Sequence, residues 1–510
     1  MNRRGLLGGG LQALVGGPLL AKASDAQPCE GCVAASLPLA ASPDAKLTVK
    51  PVMTAMIHTG VWEGPCRFNV VSVAKEAENV KRAYDNWVKA VRSGKFNLGD
   101  QAELMEPHLI TFAEDFTLPA AQLLPLEQES GKTDVYFISP GGSSIATFDI
   151  AKRFHKPAIL FGLDCRTVDV AAYAKTRGEE VFIANDNDEL RKTLSLLRAR
   201  KVFRNTRILF PTNRGFPSVA SLTGVSDLQD LENRLGVVVK MISYKVLSEE
   251  MERTLNNRSE QQKAEQAADE LIGNAEHSYL DRQHVVRSLQ FRETISTLMN
   301  AHGCNAFTIE CFEFCGSRLP EKWKITPCLV HALFKDRGLA SACEGDLGAL
   351  LGMRLLMSVS GKSSHLGNMF LRDGNSVVIN HSAPGIKMNG FDRPGLPYKL
   401  GRFTRSGWGA KVVVDFMRNS EKRVTVARMH PSARKLLVMK GQLVGAEGWD
   451  KDLLGCSVTA LVRPVESGDG KKFVRRQTEY GNHLVWVYGD YSAEMEQLGR
   501  LMDLEVEVIA

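Results

Sequence analysis

TPCLVHALFKDRGLASACEGDLGALLGMRLLMSVSGKSSHLGNMFLRDGNSVVINH, residues 326–381, is the stretch around which the rest of the chain is read. A short apolar run, Gly338-Leu339-Ala340-Ser341-Ala342-Cys343, delivers Glu344 and Asp346 to the start of an almost wholly apolar helical segment, Leu347 to Val359. A helix apolar on all sides is a buried one, which places Glu344 at the edge of a core. Carboxylates at a strand end and helix start gain from unpaired backbone N–H groups and the helix dipole, and open α/β sheets bind ligands at that same edge. Beyond the helix lie a polar cluster, Ser363-Ser364-His365-Leu366-Gly367-Asn368, and a strand-like run, Ser376-Val377-Val378-Ile379-Asn380, that ends in His381. An acid, an amide and a histidine at the ends of successive elements are oxygen and imidazole donors suited to Mn²⁺ or a similar divalent ion. Taken singly, each also reads as a helix cap or an exposed polar group.

Upstream, buried apolar strands alternate with helices. Leu47 to Met56 reads as a strand, and Ala74 to Arg92 as a helix with Val80, Ala83, Trp87 and Val91 on one face. Asp134 to Ile138, Ala158 to Gly162, Glu180 to Ala184 and Thr206 to Phe210 continue as strands, with helices from Val168 to Thr176 and Glu189 to Lys201. That alternation means a parallel, doubly wound sheet. Two loops, Ser139 to Ser144 and Pro211 to Gly215, follow strand ends and could touch a ligand, although neither matches a phosphate-binding motif. Leu247 to Glu276 is a solvated helix or connector, Tyr279 to Asn300 regains an apolar helical face, and Glu310 and Glu313 follow the strand Ala306 to Cys311.

Downstream of His381 the pattern changes to short strands: Lys411 to Asp415 and Arg423 to Arg428, flanking a hairpin signal at Arg418-Asn419-Ser420-Glu421, then Leu436 to Val444, Ser457 to Val462 and Leu484 to Tyr488. Strands without intervening helices suggest an antiparallel barrel. A final helix is expected over Ala493 to Met502.

The composition is that of an ordinary globular chain with room for about two to four domains: 510 residues, 44% apolar and 24% charged. A net charge of +6, from 64 basic and 58 acidic residues without a basic block, gives no nucleic-acid surface. At the N-terminus, Arg3-Arg4 precedes a glycine-rich apolar stretch and an Ala21-Lys22-Ala23 cleavage pattern, which looks like a Tat export signal over residues 1–23; a retained or disordered tail is the alternative. This implies a periplasmic or exported protein, with cytoplasmic residence if the segment is not a signal. No run approaches the ~18 apolar residues of a membrane span. Cys29 and Cys32, in a flexible leader over 24–44, read as a local disulfide or a free pair, and Cys304, Cys311, Cys315 and Cys328 as small core residues or a structural zinc site.

The 326–381 stretch resembles the metal-binding core of the L-fucose isomerase and L-arabinose isomerase families. Ala342-Cys343-Glu344-Gly345-Asp346 matches their A-x-E-x-D motif, and Gly481-Asn482-His483 looks like their last ligand. The resemblance implies a metal set of Glu344, Asn368, His381 and His483, with Mn²⁺ or another divalent metal as cofactor. It also implies an α/β fold of two Rossmann-like domains, 45–165 and 166–370, followed by a C-terminal antiparallel β-barrel domain over 371–510. The implied activity is aldose–ketose isomerisation of a small sugar through a cis-enediol, with Glu344 and Asn368 as catalytic residues, in a trimer or hexamer. Family members carry Asp or Glu where this chain has Asn368; an amide can coordinate through its oxygen but cannot act as a base. The second proton transfer then falls to Asp346, Glu310, Glu313 or water. The alternative on the same scaffold is an exported sugar- and metal-binding protein, or a carbohydrate-active enzyme using lyase or hydrolase chemistry.

Overall fold

The computed structural model describes residues 45–61, 63, 71–141, 143–225, 227–373, 375–465 and 469–509. The expected signal segment 1–23, the leader 24–44 and the Cys29/Cys32 pair lie outside the described residues.

The first sheet is parallel and six-stranded, in the order Ala102–Leu104, Leu47–Met56, Val135–Gly141, Ala158–Phe161, Val181–Ala184, with His108–Phe112 also paired to Leu47–Met56. It takes in Val181–Ala184, so it continues past residue 165, where the sequence placed a domain boundary, to the helix Asn187–Arg204. The second sheet is a parallel set in the order Ala340–Cys343, Ala306–Ile309, Arg207–Pro211, Val238–Ile242. Helices Tyr244–Asn256 and Arg282–Ala301 cover its flank, and Arg258–Gly273 packs against both of them. The stretch read as a solvated helix or connector falls in two packed helices, the first burying Leu247 and Met251 and the second only the small side chains Ala264 and Ala268.

The third unit is a closed six-strand antiparallel barrel. Arg423–Met429 pairs with Leu484–Tyr488, which leads through His365–Arg372, Ser376–His381 and Val458–Pro464 to Lys435–Glu447, and that strand pairs back to Arg423–Met429. The barrel opens with His365, ahead of the boundary expected at 371. Glu505–Ile509 adds in parallel to Lys435–Met439 on the outside. The hairpin expected between Lys411–Asp415 and Arg423–Arg428 does not form. Ala410–Val414 pairs instead with Tyr398–Arg402, and a 3₁₀ turn over Phe416–Arg418 carries the chain into the barrel.

One helix joins the layers. Leu347–Ser360 is buried along nearly its whole length and ends at Gly361 in the left-handed conformation. It lies between the second sheet and the barrel strand Arg423–Met429. The approach depends on missing side chains: a Cβ on Gly348 would stand 3.0 Å from the Met429 carbonyl oxygen, and one on Gly352 3.4 Å from Arg428 Cα. The helix start and the barrel mouth are thereby held together, and the site sits there. Among the described residues no helix is long and apolar enough to cross a membrane.

Candidate metal centre

The site starts from an unusual backbone. The buried strand Ala340–Cys343 ends at Glu344, whose φ is 62°, followed by Gly345 at 64°. A left-handed glutamate costs about 1–2 kcal/mol and persists only where its surroundings over-determine it. Here the next turn fixes it. Asp346 caps the buried helix, its Oδ1 accepting from Ala349 N–H at 2.9 Å, and a Cβ on Gly345 would overlap Ser218 Oγ.

Two barrel histidines meet the glutamate. His381 closes the strand Ser376–His381, and His483 stands immediately before the strand Leu484–Tyr488. Glu344 Oε1 lies 3.3 Å from His381 Nε2, and its Oε2 lies 3.2 Å from His483 Nε2. Donor atoms of all three residues fall within 4.8 Å of one another, and all three side chains are buried. The turn that brings His483 in passes so close to Thr223 and Arg428 that Gly481 has no room for a Cβ.

Behind the triad is a charged support. His483 Nδ1 is 2.8 Å from Asp346 Oδ2, which also accepts from Arg428 Nη1 at 2.8 Å. Arg428 spends its other N–H groups on Tyr480 O, His483 O, Thr223 O and Thr223 Oγ1. Asp346 thus holds a proton on His483 Nδ1 and turns Nε2 toward Glu344, where it becomes a ligand atom once a cation displaces its proton, the arrangement by which carboxylates orient metal-binding histidines. Arg428 went unseen in the sequence because its partner lies 82 positions away and no local pattern marks it.

Burial alone would push Glu344 upward, but the hydrogen bonds and charges of His381 and His483 prevail and hold it at about 2. Asp346 is likewise driven well below the usual carboxylate range, by Arg428 and His483 against burial. For His381 burial favours the neutral ring, but negative charge on the Cys456 sulfur, 3.9 Å from Nδ1, and on Glu344 outweighs it and raises the ring to about 10. His483 is raised by Asp346 and Glu344, again against burial. Two imidazoles whose protonated forms are favoured by one buried carboxylate mark a place where an external cation can replace protons. A carboxylate and two imidazole nitrogens, one oriented by a second carboxylate, fit a divalent ion of the Mn²⁺ or Zn²⁺ type.

Of the four ligands expected from the sequence, the structure brings together Glu344, His381 and His483. The side-chain oxygen of Asn368 instead accepts from Asn482 Nδ2 at 2.5 Å, so its hydrogen bonding runs to the neighbouring loop rather than to the triad. Asn368 pairs across the ladder with Asn380, one position before His381. Glu313 braces the 211–215 loop, accepting from Thr212 Oγ1, Asn213 N and Arg214 N. Glu310 caps the short helix Cys311–Gly316 and is buried, with its carboxyl raised by burial and by the charge of Glu344. The cysteines weighed as a zinc set disperse: Cys304 is buried in the flanking core, Cys315 is exposed, Cys328 accepts from Ser382, and Cys311 faces Cys343 and Glu344.

The fold and the site define a class: an α/β protein with a C-terminal antiparallel barrel and a buried glutamate–histidine–histidine centre where the two meet. Comparison with known proteins agrees in kind. No family model matches the chain, but it is 24% identical over 341 residues to sulfoquinovose isomerases of Priestia aryabhattai and Priestia megaterium, covering 64% of this chain and 71% of each relative. The chain is thus similar to a sugar isomerase.

Proposed function

We propose that the protein is a divalent-metal-dependent aldose–ketose isomerase. The observation that carries this reading is the convergence of Glu344, His381 and His483 on one buried point, with similarity to sugar isomerases beside it. Glu344, His381 and His483 would hold the ion. When bound, the ion supplies Lewis-acid polarisation of the oxygens on C1 and C2 of an open-chain aldose. The chain's own residues do the rest. Asp346 holds a proton on Nδ1 of His483 and so directs Nε2 to the ion, and Arg428 keeps Asp346 ionised in a water-poor surrounding. Glu310 stands one residue beyond the paired positions Ile309 and Cys343, at the same sheet edge as Glu344. Its raised carboxyl suits it to carry the proton between C1 and C2 through a cis-enediol. Asn368 and Asn482 offer amide groups near the barrel strand for sugar hydroxyls.

The substrate class is an aldose, with sulfoquinovose, the sugar named for the relatives, among those to try first. Export through the N-terminal signal and assembly into a trimer or hexamer belong to the same reading. The Asn368 side chain, an amide where isomerases place a carboxylate, favours a second reading: a sugar- and metal-binding protein without turnover. The purified chain, loaded with Mn²⁺ and incubated with sulfoquinovose, L-fucose and L-arabinose, is expected to form ketose from at least one of them. Metal-dependent binding of a sugar without ketose would instead establish the second reading.

A further inference from the structure

Cys311 and Cys343 form a second donor group with Glu344. Their sulfur atoms and a Glu344 carboxylate oxygen lie within 4.8 Å of one another. The placement follows from the sheet: Ile309 pairs with Cys343, so the chain just beyond Ile309 brings Cys311 back over the end of the neighbouring strand. Cys343 is buried and Cys311 half-buried, so the pair is walled by core on one side and reachable on the other. The two donor sets differ in kind. Glutamate with two imidazoles accepts hard and borderline ions, whereas two thiolates select soft ones. A carboxylate with two thiolates supplies three protein donors and leaves the fourth tetrahedral position open.

We propose that Cys311, Cys343 and Glu344 form a second cation site, for a thiophilic ion of the zinc–cadmium class, that shares its carboxylate with the glutamate–histidine centre. The site rests on the proposed isomerase reading only through Glu344; its thiol pair stands by itself. On binding, each thiol gives up its proton to solvent and forms a sulfur–metal bond, with no change of oxidation state. Because Glu344 serves both groups, a thiophilic ion on the cysteines draws the carboxylate from the histidine centre and inhibits it.

The test is a Cd²⁺ titration of the full chain under a thiol-free reductant, with Cys29 and Cys32 changed to Ser in every sample to remove a competing pair. Thiolate-to-cadmium charge transfer is expected in the near ultraviolet. At least half of that absorbance should be lost in Cys311→Ser and in Cys343→Ser, and all of it kept in Cys165→Ser, a control at an exposed cysteine outside the cluster. Cys311 is half-buried, so its variant stands as the decisive one should the Cys343 variant not fold. No absorbance in the Cys29/Cys32-free parent, or undiminished absorbance in Cys311→Ser, overturns the second site. Charge transfer without ketose formation would sink the isomerase reading alone, and ketose formation without charge transfer would sink the thiol site alone.

Discussion

Asp346→Asn removes one charge and changes almost no volume, yet three donors converge on that carboxylate. Ala349 N–H reaches Oδ1 at 2.9 Å, while Arg428 Nη1 and His483 Nδ1 both reach Oδ2 at 2.8 Å. A carboxamide has one oxygen and one NH₂, so in either orientation its NH₂ group faces a donor. Turned toward Ala349 it forfeits the helix cap, at about 0.5–2 kcal/mol. Turned the other way it confronts both Arg428 and His483. In both cases the Arg428 guanidinium, fully buried, loses its counter-charge, and stranding one member of a buried pair costs about 3–5 kcal/mol. The imidazole also loses the partner that fixes its proton on Nδ1, and such supporting groups contribute about 10–100-fold in metal affinity. Asp346→Asn is therefore expected to lower the urea midpoint and weaken Mn²⁺ binding by about 10–100-fold, read by denaturation and by isothermal titration. A variant that binds Mn²⁺ as the parent does would refute the role assigned to Asp346, whatever its stability.

Four further outcomes follow from the same geometry. Mn²⁺ uptake should expel protons: His381, held at about 10 in the ion-free protein, is protonated at pH 7, and freeing it there costs about 4 kcal/mol at 1.36 kcal/mol per unit. Affinity should thus rise about tenfold per pH unit for each proton expelled, measured by calorimetry in buffers of different ionisation enthalpy; an affinity flat from pH 6 to 9 would contradict this. Stability of the ion-free protein follows the signs of the shifts. The contribution of Glu344, depressed to about 2, is complete above its ordinary 4.5 and drains away as pH falls through about 2. That of His381 is complete below its ordinary 6.5 and is lost as pH rises through about 10. Gly345→Ala, at φ 64° and against Ser218 Oγ, should destabilise by about 1–3 kcal/mol, with partial recovery in the Gly345→Ala/Ser218→Gly double variant; a thermal midpoint equal to the parent's would show that the turn is not pinned as described. Asn368→Ala should retain the bound ion in metal analysis, since its hydrogen bond runs to Asn482; loss of the ion would restore it as a ligand.

Much of this was legible in the chain because the signals are local. The buried strands Ala158–Phe161 and Arg207–Pro211 announce themselves by apolar runs, and Glu344, His381 and His483 lie at the element ends where the family resemblance places ligands. What the sequence hid is set by distant packing. The turn residues after Ala410–Val414 suggested a hairpin, but Tyr398–Arg402 took that strand's edge and Lys435–Glu447 took the edge of Arg423–Met429. The family resemblance pointed to Asn368, whereas the strand ladder decides which side chains reach the triad. Arg428 reads as one more polar residue in a strand until the barrel closes and brings it onto Asp346. In the sequence Cys311 groups with Cys304, Cys315 and Cys328, and Cys343 with an apolar run, whereas strand pairing sets the two beside the same glutamate.

The most direct test of the metal centre is Mn²⁺ titration of the protein beside Glu344→Gln, a nearly isosteric change that removes the charge between the two histidines. The account predicts a single tight Mn²⁺ per chain in the parent and none in the variant. Equal uptake by both proteins would mean that Glu344, His381 and His483 do not hold the ion.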